Sequence, residues 1–220
     1  MLTDRLLGLT RGTKRKLKIA RLYGSSIENL DFPVPGRVSS TRHMTRQSKT
    51  DENLRDISIH HLIRQPGKQF ADKINASSKA LSDTEEIKAY IQLIQEATIA
   101  ELSHYDVIFC TTAMATNGKL LHAMKDRIFQ VIIDECGMCT EPESIATIIA
   151  TRAQQVVLIG DHKQLQPIVV CSEARRLGLQ KSLFERYKDD KHCVQLQFQY
   201  RMVNIFFFIV ILHECLLHIH

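Results

Sequence analysis

The chain has 220 residues, with 29 Lys and Arg against 24 Asp and Glu, six cysteines and no tryptophan. That length can bury one sizeable core with little left for a second. Six cysteines with no export signal at the basic N-terminus read as reduced thiols of the cytosol or nucleus, which excludes a small disulfide framework.

Residues 2–9 are helical in pattern and residues 17–23 strand-like, whereas residues 24–79 are rich in Ser, Gly, Pro and charge with no sustained period. Ser82-Asp-Thr-Glu85 reads as a capping box opening a helix to about residue 102, with Ile87, Tyr90, Ile91 and Ile94 on one packing stripe. Asp106-Val-Ile-Phe-Cys-Thr-Thr112 reads as a buried strand ending in hydroxyls. Thr111 and Thr112 either donate to a phosphate or cap the strand's own loop. A helix over 122–126, a strand over 129–134, a helix over 143–151 and a strand over 155–160 follow in βαβ order. Right-handed crossovers would lay these strands in one parallel sheet.

Two of the strands stop abruptly in polar groups. Val131-Ile-Ile-Asp-Glu-Cys-Gly137 and Val156-Val-Leu-Ile-Gly-Asp-His-Lys-Gln-Leu-Gln-Pro167 are apolar runs of the kind that, buried in a parallel sheet, deliver catalytic groups to its carboxyl edge. A strand-end Asp134 can hold Mg²⁺ through water, and Glu135 beside it can orient or deprotonate a water attacking a γ-phosphate. An apolar strand followed by Asp-Glu is the Walker B pattern. In the second segment Gln164 offers an amide to a phosphate oxygen, and Pro167 keeps the loop from continuing as helix.

With these residues the chain resembles superfamily-1 helicases of the Upf-like branch, especially those that carry zinc fingers beside the motor. Asp134-Glu-Cys-Gly-Met-Cys-Thr-Glu-Pro-Glu143 is similar to motif II and Gly160-Asp-His-Lys-Gln-Leu-Gln-Pro167 to motif III. Gly178-Leu-Gln-Lys-Ser-Leu-Phe-Glu-Arg186 is similar to the segment after it, and Leu196-Gln-Phe-Gln-Tyr-Arg-Met202 to motif IV. The likeness is clear over residues 104–202 and extends more weakly back to Met1.

The resemblance implies an α/β fold, a RecA-like parallel sheet with flanking helices, incomplete at both ends and carrying an inserted accessory segment. Residues 1–29 would belong to the first motor domain, 30–103 to an accessory insertion of linker and helix, and 104–192 to the RecA-like core with motifs II and III. Residues 193–204 would begin the second motor domain with motif IV, and 205–220 would be an apolar tail outside the family pattern.

It also implies ATP and Mg²⁺ as cofactors, single-stranded RNA or DNA as partner, and protein partners besides. Asp134 would serve Mg²⁺, Glu135 the attacking water and Gln164 the γ-phosphate. Asp161 would order the motif III loop at the nucleotide, Tyr200 would stack on adenine and Arg201 would be an arginine finger. Thr111 and Thr112 would meet the nucleic-acid backbone. Charge placement agrees, since residues 1–80 hold 16 basic against 7 acidic side chains, and residues 81–220 hold 13 against 17.

The departures from the family matter equally. No Gly-x-x-x-x-Gly-Lys-Ser/Thr phosphate loop occurs, and Gly8-Leu-Thr-Arg-Gly12-Thr-Lys14 is short by one residue with Arg15 where Ser or Thr belongs. Residues 1–7 resemble the helix after motif Ia, so the chain is expected to begin beyond that loop. Val203-Asn204 replaces the family's His-Pro, and motifs V and VI are missing. The apolar run over 205–212 falls short of the roughly 20 residues that span a bilayer. His213, Cys215, His218 and His220 have no finger spacing, and Cys136 and Cys139 read as two small loop thiols.

The expectation is therefore part of an ATP-dependent RNA or DNA helicase motor with little or no turnover by itself. An alternative from another class is a non-catalytic nucleic-acid- or protein-binding module, such as a coactivator fragment. A third is an incomplete gene product without a role of its own.

Overall fold

The computed structural model describes residues 17–34, 50–78, 83–163 and 165–195. The expected helix over 2–9, Gln164, motif IV with Tyr200 and Arg201, and the tail lie outside the described residues. Two compact units are distinguished, residues 1–185 and 186–220. In the second, the described residues include a turn in which Asp190 Oδ1 accepts from the His192 backbone N–H at 2.9 Å and lies 2.7 Å from its ring Nδ1.

Among the described residues, the first unit opens with β1 (Ile19–Arg21), which pairs in parallel with β2 (Val107–Phe109) in the register Ala20 to Ile108. Asp106 anchors the pair by accepting from the Lys18 N–H through Oδ2 at 2.9 Å. Between these strands lie α1 (Ser25–Asp31), a 3₁₀ turn (Glu52–Ile57), α2 (Ile59–Leu62), α3 (Ala71–Ser77) and α4 (Thr84–Leu102). Residues 24–79, which show no period in the sequence, thus contain short helices. Seven residues or fewer are too few for a 3.6-residue stripe to declare itself.

These elements close one core. Ala20 and Leu22 beside β1, Ile59, Leu62 and Ile63 around α2, Ile74 of α3, and Tyr90, Ala97 and Leu102 of α4 pack together with Leu120 and Met124. Burying such side chains is the main term holding the unit together.

The long helix begins one residue later than the sequence pattern indicated. Asp83 is its N-cap, accepting the Glu86 N–H at 2.8 Å, while the Glu86 carboxylate receives the Asp83 N–H at 3.4 Å. We expect Asp83→Ala to lower stability by about 1 kcal/mol and Asp83→Asn to recover most of it, read from urea midpoints. Of the expected stripe, Tyr90 is buried and Ile94 packs against the core. Farther along, Ala97, Thr98, Glu101 and Leu102 complete the buried face. Glu101 is tolerated there because Lys68 Nζ at 2.6 Å and Tyr105 Oη at 2.8 Å both donate to its Oε1.

After β2 come α5 (Thr112–Ala115), α6 (Gly118–Ala123), β3 (Gln130–Ile133), a 3₁₀ turn (Cys136–Met138), α7 (Glu141–Thr151) and β4 (Gln155–Leu158). The helix expected over 122–126 starts instead at Gly118, because Asn117 Oδ1 caps it by accepting the Lys119 N–H at 2.9 Å. It cannot run to residue 126, since Asp126 has a φ of 57°. Two short helices follow β4, α8 (Ser172–Arg176) and α9 (Leu183–Tyr187).

β3 and β4 pair in parallel from Gln130 with Gln155 to Ile133 with Leu158. The architecture is α/β with parallel strands, as expected, but the single sheet is not seen. Among the described residues there are two separate two-stranded sheets, β1 with β2 and β3 with β4. Nor are the apolar strands fully buried, because Ile133 is covered whereas Ile132 is 56% exposed and Val156 and Val157 are exposed as well. An apolar run locates a strand; it does not supply the neighbours that cover its faces. No helix among the described residues is long and apolar enough to cross a membrane.

Candidate nucleotide-hydrolysis site

Parallel pairing brings the carboxyl ends of β3 and β4 side by side, and the polar ends of both apolar runs emerge on that edge. The Ile159 N–H donates to the Ile133 carbonyl at 2.9 Å, and the Cys136 N–H donates back to the Ile159 carbonyl at 2.8 Å. Asp134 and Glu135 are thereby held opposite Ile159 and Gly160, one residue from Asp161.

Two glycines permit this closeness. A Cβ on Gly137 would lie 2.9 Å from the Asp161 carbonyl oxygen, and one on Gly160 would lie 2.9 Å from the Gly137 nitrogen and 3.3 Å from that of Cys136. The obstacles are backbone atoms, which cannot swing aside as a side chain could.

The loop between strand and turn is bent at Glu135. Glu135 has φ 52° and ψ 35°, a left-handed conformation that costs a residue with a Cβ about 1 kcal/mol or more. Asp134 and Glu135 are both exposed at this edge, and Asp134 Oδ1 accepts the Glu135 N–H at 3.0 Å. That leaves the second Asp134 oxygen for a ligand. Asp161, also exposed, accepts the Lys163 N–H through Oδ1 at 2.9 Å and so shapes the start of the second loop. Pro167 is fully buried at the far end of that loop.

Behind the loop, Thr140 and Glu143 start α7. The Glu143 carboxylate accepts from the Thr140 N–H at 2.8 Å and from its hydroxyl at 2.9 Å, and Pro142 sits in the first turn, where no N–H is needed. The helix therefore begins at Glu141, two residues before the expected start.

Cys136 is buried with Sγ 3.7 Å from Ser144 Oγ, and Cys139 is half-buried. Burial pushes both thiols up from their usual range, which disfavours the thiolate needed for metal or redox work. Both are placed as loop thiols.

Thr111 accepts the Met114 N–H through Oγ1 at 3.3 Å as the N-cap of α5. Its own hydroxyl hydrogen still makes it a donor in chemistry. Thr112 is drawn towards α7 through its carbonyl, which accepts from Thr147 Oγ1 at 3.2 Å. The structure thus brings Asp134, Glu135 and Asp161 to one edge and ties Thr112 to the helix that follows them. From the sequence, Gly137 and Gly160 carry no assigned role as spacers; a glycine directly after the second apolar run, and one two residues past Glu135, are the signal that indicates them.

A family profile described as an AAA domain matches residues 3–172. The chain is 38% identical to the human 3'-5' exoribonuclease HELZ2 over 198 residues, which is 86% of this chain and 7% of that protein. It is 32% identical to the Regulator of nonsense transcripts 1 homolog of Drosophila melanogaster over 173 residues, covering 79% of this chain and 13% of that protein. It is 32% identical to the ATP-dependent helicase NAM7 of Saccharomyces cerevisiae over 170 residues, covering 72% of this chain and 16% of that protein. The chain thus spans between 7% and 16% of the length of these three curated relatives. Matches over most of the chain mean that the chain belongs to the Upf-like superfamily-1 helicases.

Proposed function

We propose that these residues form the hydrolytic half of the ATP site in a helicase motor that couples ATP hydrolysis to movement along single-stranded RNA or DNA. The observation that carries this is the left-handed Glu135, held beside Asp134 and opposite the Asp161 loop by the Cys136 to Ile159 hydrogen bond. Backbone strain of this kind persists where the surrounding structure over-determines it, commonly at functional sites.

The donor set fits Mg²⁺, which takes oxygen ligands and keeps waters: Asp134 offers a carboxylate at a strand end with one oxygen occupied by its neighbour's N–H. Bound there with ATP, Mg²⁺ would neutralise charge on the phosphates. Asp134 would hold the ion's water, and Glu135 would orient the attacking water and take its proton. Gln164 would contact the γ-phosphate, Asp161 would order its loop, and Tyr200 and Arg201 would approach adenine and the transferred phosphoryl group. Thr111 and Thr112 would face the nucleic-acid backbone. The names of the yeast and human relatives, an ATP-dependent helicase and an exoribonuclease, favour a nucleic-acid substrate.

The exposed apolar residues Ile132, Val156 and Val157 support a motor built from more than these strands, with the phosphate-holding strand supplied elsewhere. We therefore expect the purified 220-residue chain to show no magnesium-dependent ATP turnover above background. Robust turnover abolished by Glu135→Gln would contradict this. In a longer protein carrying a phosphate loop, Glu135→Gln is expected to lower kcat at least about 100-fold while nucleotide binding is retained. Unchanged kcat would remove Glu135 from the chemistry.

A further inference from the structure

Away from the sheet edge, α1 and α2 bring three metal-ligating side chains to one point. His60 Nε2 and His61 Nε2 lie 2.9 Å and 3.1 Å from the same oxygen, Asp31 Oδ2, and Thr50 Oγ1 lies 3.2 Å from His60 Nε2. The cluster is enclosed, with the His60, Asp31 and His61 side chains 3%, 6% and 19% exposed. The Tyr23 ring meets His60 edge-on at 5.5 Å, and the Phe32 ring meets His61 at 4.9 Å.

Adjacent residues on a helix normally diverge, so two neighbouring imidazoles sharing one carboxylate oxygen is an arrangement that tertiary packing imposes. It is also an expensive one, because His60 Nδ1 is buried with no hydrogen-bond partner. An unsatisfied buried nitrogen costs on the order of 1–3 kcal/mol, which an apolar residue at the same place would avoid. A core imidazole kept at that cost points to a use for its other nitrogen.

We propose that Asp31, His60 and His61 bind a first-row divalent transition-metal ion of the zinc and cobalt(II) class through Asp31 Oδ2 and the two Nε2 atoms. The ligand atoms of the three residues all lie within 4.8 Å of one another. An ion about 2.1 Å from each would see Oδ2 and each nitrogen at close to a right angle, given separations of 2.9 Å and 3.1 Å. A tetrahedral ion needs those separations to open by a few tenths of an ångström.

Imidazole nitrogens with one carboxylate select such ions over Mg²⁺ and Ca²⁺, whose ligands are oxygens. Asp31 and His60 are also in ligating form near neutral pH. Burial drives His60 well below the usual histidine range, to about 4. For Asp31, burial opposes ionisation, but hydrogen bonds from Thr50, His60 and His61 outweigh it and hold the carboxyl at about 2. On binding, the ring protons of His60 and His61 move from Nε2 to Nδ1, and the metal takes the place of the hydrogens both rings share with Asp31. The Arg64 guanidinium over the Phe32 ring, 3.9 Å from its centroid, is a nearby cation that tempers affinity.

The test uses the whole chain and cobalt(II) alone, followed by its ligand-field absorption, with zinc as competitor. Because His213, Cys215, His218 and His220 are further potential ligands, it is run in a background with those four changed to alanine. We expect one equivalent of cobalt(II) to bind and to be displaced by zinc. Asp31→Asn and His61→Gln should each weaken binding more than about tenfold, and Cys136→Ser with Cys139→Ser should leave it unchanged. Zinc should also raise the Tm of the background protein and not that of His61→Gln, a readout that registers binding even if a variant is less stable. Absence of binding in the background protein, or affinity unchanged by Asp31→Asn and His61→Gln, overturns the proposal.

Discussion

Gly160→Ala is expected to destabilise the chain by about 3 kcal/mol, at the upper end of what one added methyl usually costs in a packed site. The new Cβ would sit 2.9 Å from the Gly137 nitrogen, 3.3 Å from the Cys136 nitrogen and 3.6 Å from Phe184 Cγ. Phe184 could turn, but the two nitrogens belong to the backbone of the facing loop. Relief therefore requires the loops to part, stretching the Cys136 to Ile159 hydrogen bond that positions Glu135. Gly137→Ala should act likewise, its Cβ meeting the Asp161 carbonyl oxygen at 2.9 Å. Urea unfolding would give the loss, and hydrogen exchange at the Cys136 amide would show whether the strap has opened. A loss under about 0.5 kcal/mol with unchanged exchange would mean that the two loops are not held in contact.

Leu102→Ala should cost about 3 kcal/mol, within the range for emptying a buried leucine site. Leu102 is 0% exposed at the end of α4 and belongs to the cluster that joins β1, α2, α3 and α6. A cluster drawn from several elements leaves little room for collapse, so a cavity would remain. Leu102→Met, which keeps most of the volume, should cost under about 1.5 kcal/mol. Against a total stability of about 5–15 kcal/mol for a domain, the alanine variant would show a clearly lowered urea midpoint. Equal effects of alanine and methionine would argue against a packed site.

The features legible in the sequence were those written in local pattern. The strands at residues 130–133 and 155–158, the long helix ending at Leu102 and the acidic strand end at Asp134 and Glu135 each follow from a short run of residues whose period or abrupt change in polarity has one reading. Element starts were less legible, because capping is decided by which side chain reaches which N–H. Asp83 rather than Ser82 caps α4, and Asn117 moves α6 four residues towards the N-terminus of its expected start. The short helices of residues 25–77 left no trace in the period because each is too brief to show one.

The sequence by itself determined the parallel α/β character, the family and the acidic groups at the strand ends, since each apolar run and its acidic end are contiguous in the chain. Only the tertiary structure decided that the strands form two small sheets, that Glu135 is left-handed, and that Gly137 and Gly160 let two loops 23 residues apart touch. The same holds for Asp31, His60 and His61, whose meeting depends on two helices separated by nearly thirty residues of chain. Contacts of this kind are set by long-range packing and backbone proximity, which no local period encodes.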